Sequence, residues 1–185
     1  MSNVMKNIRD RRSIRKYNKK EIPKETILRI LEAGRLAPSA KNRQPWNFVV
    51  LQGMKKDNVA ALMEKYTDFA EKEEYEIQNC KSSVRETAKV IKQAFVLILI
   101  FKDVDDNWTI GDNLSIGACV ENMLLYATDI GLGSLWIRDT YCISKEMSEL
   151  YSKGKELSCA VALGYPEENP PMRPRKDLNS IVRWC

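Results

Sequence analysis

Two clusters of basic side chains near opposite ends of the chain are the first candidates for chemistry. The residues concerned are Arg11, Arg12, Ser13 and Arg15 in the first cluster and Arg173, Arg175 and Lys176 in the second. Guanidinium groups and a serine hydroxyl can surround a phosphate through charge-assisted hydrogen bonds. A solvated helix end is the plainer interpretation, because exposed arginines are common. Nucleic-acid binding would favour a broader basic stripe with interleaved aromatics, so we expect no nucleic-acid partner.

The stretch PSAKNRQPW at 38–46 is a second candidate. Pro38 and Pro45 bracket small and amide side chains, a pattern that predicts a loop. The amides of Asn42 and Gln44 could offer paired donors and acceptors to a flat heteroaromatic ring. A loop that merely ends a helix and packs Trp46 into the core explains the same residues equally well.

The composition excludes several kinds of active site. The chain contains no histidine, which rules out a Ser-His-Asp triad, a Cys-His dyad and an HExxH zinc site. Its five cysteines include no CxxC pair, so we expect mostly buried free thiols and no metal. Gly131-Leu-Gly133 lacks a third glycine at Trp136, and no GxxxxGK[ST] occurs, which disfavours Rossmann and P-loop nucleotide sites. Chemistry must come from the remaining side chains or from a borrowed cofactor.

Length and composition predict one folded domain over 1–185. The chain has 185 residues, 44% hydrophobic and 30% charged, which is typical of a globular protein. Its longest apolar run, 94–101, is far shorter than the roughly 20 residues of a membrane helix. The N-terminus has no apolar segment of a secretory signal, so we expect a cytoplasmic protein without a membrane partner.

Hydrophobic periodicity predicts an α+β fold, with helices flanking a mostly antiparallel sheet. The expected helices are 3–11, Pro23 to Ala37, a pair within 54–92 with an exposed middle around DFAEKEEYEIQN, 113–130, and a short one capped by Ser144 and ending at Tyr151. The expected strands are 47–52, 94–101, 134–137 and 157–165, with a loop at 102–112 and strand character in SIVRW at 180–184. The helix at 113–130 is apolar on more than one face, which favours burial against a subunit partner.

Four stretches together resemble one known family. They are RRSIRKY at 11–17, PSAKNRQPWNFVVL at 38–51, the helix from Asp112 to Gly133 with GLGSLWI, and LGYPEENPPMRPRK at 163–176. Their order and approximate spacing are similar to those of the FMN-dependent nitroreductase family, and the likeness covers nearly the whole chain except 54–92. It implies a nitroreductase-like homodimer with FMN at the subunit interface and a C-terminal arm exchanged between subunits.

The resemblance also implies which residues bind FMN. In one subunit, Arg11, Arg12, Ser13 and Arg15 would contact the phosphate, ribityl and pyrimidine side, and Arg173, Arg175 and Lys176 would join them on the phosphate. From the other subunit, Pro38, Ser39, Ala40, Asn42 and Gln44 would line the ring. The backbone around Ile137, Arg138 and Asp139 would reach the flavin N5 region. Relatives often carry Gly or Glu where this chain has Arg138, so the resemblance does not indicate which electron acceptor the protein prefers.

The activity implied by the resemblance is ping-pong transfer from NADH or NADPH through FMN to a nitroaromatic, quinone or similar small acceptor. No side chain need be an essential acid or base, because the flavin carries the chemistry. Arg15 would give electrostatic support at the N1/O2 edge. Two alternatives stay open: a flavin carrier or sensor without turnover, and a relative with a dedicated dehydrogenase or dehalogenase substrate.

Overall fold

The computed structural model describes residues 2–69 and 75–185, with side chains omitted at 69 and 75–81. The helices are α1 Asn3–Asp10, α2 Lys24–Arg35, α3 Met54–Phe69, α4 Tyr75–Gln93, α5 Thr109–Asp129 and α6 Ser144–Tyr151. The strands are β1 Asn47–Gln52, β2 Val96–Asp103, β3 Gly133–Ile137 and β4 Lys155–Gly164. They form one antiparallel sheet in the order β1-β2-β4-β3, which confirms the predicted fold class.

The central strand β2 is apolar throughout because helices cover both faces of the sheet. Leu97, Leu99 and Phe101 join the core beneath α3, α4 and α6. The alternating residues Ile98 and Ile100 join the core beneath α2 and α5. Successive side chains of a strand point to opposite faces, so a strand buried on both sides loses the usual apolar-polar alternation.

Two local predictions are wrong. Helix α5 begins at Thr109 rather than at 113, since the polar start of the helix is stabilised by Asp112, whose carboxylate accepts from Arg43 Nε at 3.0 Å. Ser144 does not cap α6. The 3-10 turn Asp139–Ile143 leads directly into the helix, so Ser144 already has helical dihedral angles and caps nothing.

The C-terminal tail has no strand in the part of the chain described. Leu178–Ser180 form a 3-10 turn, and residues 181–185 are exposed. The predicted strand at 180–184 was expected to pair with a partner, and that pairing stays a prediction. Most of the expected exposed middle, 68–79, lies outside the described side chains.

Cys119 and Cys159 are buried free thiols, as predicted, whereas Cys185 is exposed. No helix in the described ranges is both long and apolar enough to cross a bilayer.

Candidate active site

The segment 13–17, which carries Ser13 and Arg15 of the first basic cluster, lies at the edge of the sheet. Ser13 bridges Ser134 of β3 in parallel, and the Ile14 N–H donates to the Ser134 carbonyl at 3.0 Å. Just beyond the end of β4, the Glu167 N–H donates to the Lys16 carbonyl at 2.9 Å. Backbone hydrogen bonds therefore fix this segment beside the start of β3 and the end of β4.

Two glycines make room for this segment. A Cβ on Gly133 would lie 2.9 Å from Ile14 Cγ2, and one on Gly164 would lie 2.6 Å from Tyr17 Cδ1. Tyr17 is only 5% exposed, and its hydroxyl donates to the Ile14 carbonyl at 2.6 Å. Burial raises the pKa of Tyr17 far above its usual range, so this hydroxyl stays a hydrogen-bond donor. The segment is packed as well as hydrogen-bonded.

The three arginines of the cluster have different partners. Arg11 Nε lies 3.6 Å from the Glu121 carboxylate of α5. Arg12 Nε donates to the Pro170 carbonyl at 3.1 Å, which ties the start of the tail to this segment. The exposed Arg15 guanidinium donates only to its neighbouring Ser13 carbonyl among the described contacts, at 3.2 Å.

A cavity of about 560 Å³ opens between this segment, the end of β3 and one face of α4. Four of the predicted cofactor residues line it, namely Arg15, Ile137, Arg138 and Asp139. They come from separate parts of the sequence, and the docking of 13–17 against β3 brings them together. The structure therefore brings these four predicted residues to one cavity within a single chain, and their role in binding FMN stays a prediction.

Two carboxylates at this cavity are held by hydrogen bonds. Asp139 Oδ2 accepts from the hydroxyls of Ser83 and Thr87 on α4, at 2.6 and 2.8 Å. Glu168 Oε1 accepts from the backbone N–H groups of Arg15 and Lys16, at 2.5 and 3.2 Å. The first pair joins α4 to the end of β3, and the second holds the basic segment against the tail.

The predicted loop 38–44 does not line this cavity and packs instead on the N-terminal end of α5. The Ala40 N–H donates to Ser115 Oγ at 3.2 Å, and the Gln44 N–H donates to Ser39 Oγ at 2.9 Å. Pro38 is exposed at the start of the loop. The loop is thus anchored to the body of its own chain while its outer surface stays open.

The same loop has an unusual backbone. Lys41, Asn42 and Gln44 have φ angles of 49°, 56° and 49°, which are left-handed and uncommon for residues other than glycine. Such conformations persist only where surrounding contacts impose them, and they cluster at functional sites. Here Arg43 is held by Asp112 through two hydrogen bonds of 3.0 and 3.2 Å. Donating these hydrogen bonds to Asp112 raises the pKa of the Arg43 guanidinium.

The second basic cluster lies on the exposed tail. Arg173, Arg175 and Lys176 are all exposed, and Arg175 donates to the Arg173 carbonyl at 3.3 Å. None of them lines the cavity. Their predicted role on a phosphate stays a prediction.

Sequence reasoning missed Glu168 and the face of α4 that carries Ser83 and Thr87. Glu168 falls inside the stretch YPEENPP, where nothing local distinguishes it from its neighbour Glu167. Ser83 and Thr87 are spaced i, i+4, which places two hydroxyls on one helix face. That spacing was the only available signal, and it is too common to identify a site.

Comparisons with known proteins agree on the family. The model of the Nitroreductase family matches residues 8–165. A relative from Archaeoglobus fulgidus, provisionally named NADH dehydrogenase/NAD(P)H nitroreductase, is 30% identical over 91% of this chain and 88% of its own. An iodotyrosine deiodinase from Thermotoga neapolitana is 28% identical over 94% of this chain and 93% of its own. A crystal structure from Desulfovibrio desulfuricans, of a provisionally named nitroreductase in complex with FMN, superposes with a TM-score of 0.77 at 26% identity, covering 98% of this chain and 96% of that one.

Proposed function

Because the chain belongs to the nitroreductase family, we propose that it is a homodimeric, FMN-dependent oxidoreductase. It takes reducing equivalents from NADH or NADPH and passes them by a ping-pong cycle to a nitroaromatic, quinone or similar small acceptor. One domain spans 1–185. Because its donors are cytoplasmic metabolites, the proposed compartment is the cytoplasm.

One observation carries the proposal: the docked segment 13–17 brings Arg15 to the same cavity as the end of β3. FMN needs cations for its phosphate and for the ring edge that becomes anionic on reduction, together with backbone donors near N5. The residues present fit these needs, since the Arg15 guanidinium lines the cavity on one side, close to Ser13 in the docked segment, and Ile137–Asp139 line it on the other.

When bound, FMN would supply the redox chemistry by accepting hydride from the nicotinamide and returning electrons to the acceptor. The chain's own residues would bind and orient. Arg11 and Ser13 would hold the phosphate and ribityl side, while Arg15 would place a fixed positive charge at the pyrimidine edge. Asp139, held by two hydroxyls of α4, would fix the backbone turn that follows β3.

The dimer explains the surface of the single chain. Apolar side chains that a monomer would bury are exposed on α1, on α5 and on the tail, and an exposed apolar surface often marks an interface. Examples are Val4 on α1, Ile110 and Leu114 on α5 and Trp184 on the tail, which are 64, 78, 72 and 93% exposed. In the proposed dimer, α5 packs on the partner, the loop 38–44 completes the partner's flavin site, and the tail extends over the other subunit.

The first test is to purify the protein and look for flavin. We expect a yellow protein, or an apoprotein that takes up FMN, which oxidises NADH or NADPH when a nitroaromatic or a quinone is added. Analytical ultracentrifugation should give a dimer. A colourless protein that fails to bind added FMN would refute the proposal. Bound flavin without turnover of any acceptor would favour the carrier or sensor alternative instead.

A dedicated dehalogenase is a second candidate, favoured by the likeness to an iodotyrosine deiodinase over 94% of the chain. Its reaction would take two electrons and one proton, replace a carbon-iodine bond with carbon-hydrogen and release iodide. Dithionite-reduced protein mixed with 3-iodotyrosine should release iodide if this reading is right. Release of no iodide, beside rapid reduction of a nitroaromatic, would exclude it.

A further inference from the structure

The acidic side chains around the cavity are already engaged. Glu86, Asp139 and Glu168 all line it. Glu86 accepts from a lysine one turn later in α4, at 2.7 Å. Asp139 accepts from two hydroxyls, and Glu168 accepts from two backbone N–H groups. Each carboxylate therefore has a donor that partly offsets its charge toward a ligand.

Four basic side chains line the cavity, and one of them, Lys89, pairs with Glu86. Within the described residues the other three, Arg15, Lys16 and Arg138, lie beyond ion-pair distance of any carboxylate. A cleft in which acids are engaged and cations are unpaired has a positive potential and attracts anions. The proposed flavin accounts for Arg15, which leaves the side chains of Lys16 and Arg138 without an assigned ligand. Of these two, Arg138 also has a described contact with an aromatic ring.

Arg138 lies at the junction of two cavities. It directly follows β3, and it lines both this cavity and an adjoining one of about 560 Å³ that includes Tyr141. Its guanidinium carbon lies 5.7 Å from the centre of the Tyr141 ring. A guanidinium over an aromatic ring is partly pre-oriented and keeps its N–H groups available for a planar carboxylate.

We propose that Arg138 selects acceptors that carry a carboxylate, or a similar anionic group, beside the reducible aromatic substituent. This inference rests on the proposed function and specifies the substrate class of the same site. A carboxylate on the acceptor would form a bidentate pair with Arg138 and hold the ring at the cavity. The neutral amide of the same shape offers a single acceptor oxygen and no charge.

The test compares 4-nitrobenzoate with 4-nitrobenzamide, its uncharged isostere. Holoenzyme is first reduced with dithionite, which bypasses the nicotinamide step, and is then mixed with each compound. Reduction of the nitro group to nitroso consumes two electrons and two protons and releases one water. We expect wild type to reduce the benzoate about tenfold more efficiently than the amide, with a rate that falls as salt is added.

Variants separate charge from shape. Arg138→Gln should slow reduction of the benzoate far more than reduction of the amide and so remove the preference, whereas Arg138→Lys should keep part of it, since lysine retains the charge but not the fork. Lys145→Gln, an exposed position on α6 that lines neither cavity, makes the same charge change and should alter neither rate. Binding gives an independent readout: benzoate, which cannot be reduced here, should perturb the flavin spectrum at lower concentration than benzamide, and only when Arg138 is present.

Three results would overturn the inference. Wild type could treat the two nitro compounds alike, Arg138→Gln could slow both equally, or the variant could change only the rate of reduction by NADPH relative to NADH, which would make Arg138 a donor contact. Failure to bind FMN or to reduce either compound would instead refute the proposed function. The two failures are therefore distinguishable.

Discussion

The docking of the segment 13–17 depends on the absence of a side chain at Gly164, and Gly164→Ala tests that dependence. The new methyl group would lie 2.6 Å from Tyr17 Cδ1, 2.8 Å from Cγ and 2.9 Å from Cβ. These atoms belong to the root and near edge of a ring that is 5% exposed and tethered by its hydroxyl to the Ile14 carbonyl. The ring cannot move aside as the end of a flexible side chain could, so the segment itself must shift.

The expected cost follows from two opposing effects. Overpacking a well-filled site costs about 1–3 kcal/mol, and the tethered ring places this case near the upper end. Replacing glycine by alanine in a strand also stabilises the fold by about 0.5–1 kcal/mol, because alanine has less conformational entropy to lose from the unfolded chain. The net loss is about 2 kcal/mol, which corresponds to a drop in melting temperature of roughly 4–8 °C for a chain of this size. If FMN binds only the docked segment, its affinity should fall by up to about thirtyfold.

Thermal unfolding of the apoprotein and fluorescence titration with FMN measure the two effects. Gly117→Ala is the matched control, because a Cβ there would meet only the Trp136 ring at an ordinary 3.7 Å. This control lies inside α5 and should be as stable as wild type or more stable by up to about 1 kcal/mol. A Gly164→Ala protein with wild-type melting temperature would refute the packing argument. One that is destabilised but binds FMN normally would show that docking of 13–17 is not needed for the cofactor.

Further predictions concern charge, thiols and the joint between α4 and β3. Arg11→Ala should weaken FMN binding about tenfold to a hundredfold in titrations, since a charge-assisted hydrogen bond is worth roughly 1.5–3 kcal/mol, while the exposed Arg29→Ala should not. Burial raises the pKa of Cys119 and of Cys159 from 9.0 to about 12, so the thiols stay neutral in the folded state but ionise in the unfolded state above pH 9. Their stabilising contribution is therefore complete below pH 9 and is lost as the pH rises toward 12. In urea unfolding, the free energy of unfolding of the Cys119→Ala/Cys159→Ala variant should fall less steeply with pH across that window than that of wild type. Asp139→Ala leaves two α4 hydroxyls without their acceptor and should lower the unfolding free energy by about 1–2 kcal/mol, with faster amide exchange in the turn after β3; exchange as slow as wild type would show that the carboxylate does not hold this turn.

The elements of the sheet were predictable because their signals are local. The run at 94–101 is too short for a membrane helix and too apolar for an edge strand, so it predicts a fully buried strand. In the structure β2 is that strand. The start of α5 was not predictable in the same way. Its first turn contains Asp112, which is 1% exposed, and its burial depends on Arg43 from a loop far away in the sequence.

In the candidate site, too, residue types were predictable from the sequence and their spatial arrangement was not. The basic cluster could be chosen from its residue types, but its location depends on hydrogen bonds to Ser134 and on the space above two glycines, which no local pattern reveals. No pattern in the sequence singles out the residues of α4 that form a wall of the cavity. Its hydroxyls acquire a function only because the end of β3 places Asp139 within reach of them.

The charge of the site illustrates why composition is a poor guide to binding preference. Residues 165–177 contain three acidic side chains close to the basic ones, and a count along the sequence would suggest near-neutrality. In the fold, the Glu168 carboxylate accepts from the backbone N–H groups of Arg15 and Lys16. Among the described residues no carboxylate lies within ion-pair distance of Arg15 or Arg138, so both guanidinium groups border the cavity without one. The charge of the site therefore depends on which partners its acids have in the fold, and the preference for anionic acceptors that we propose at Arg138 would follow from the unpaired cations.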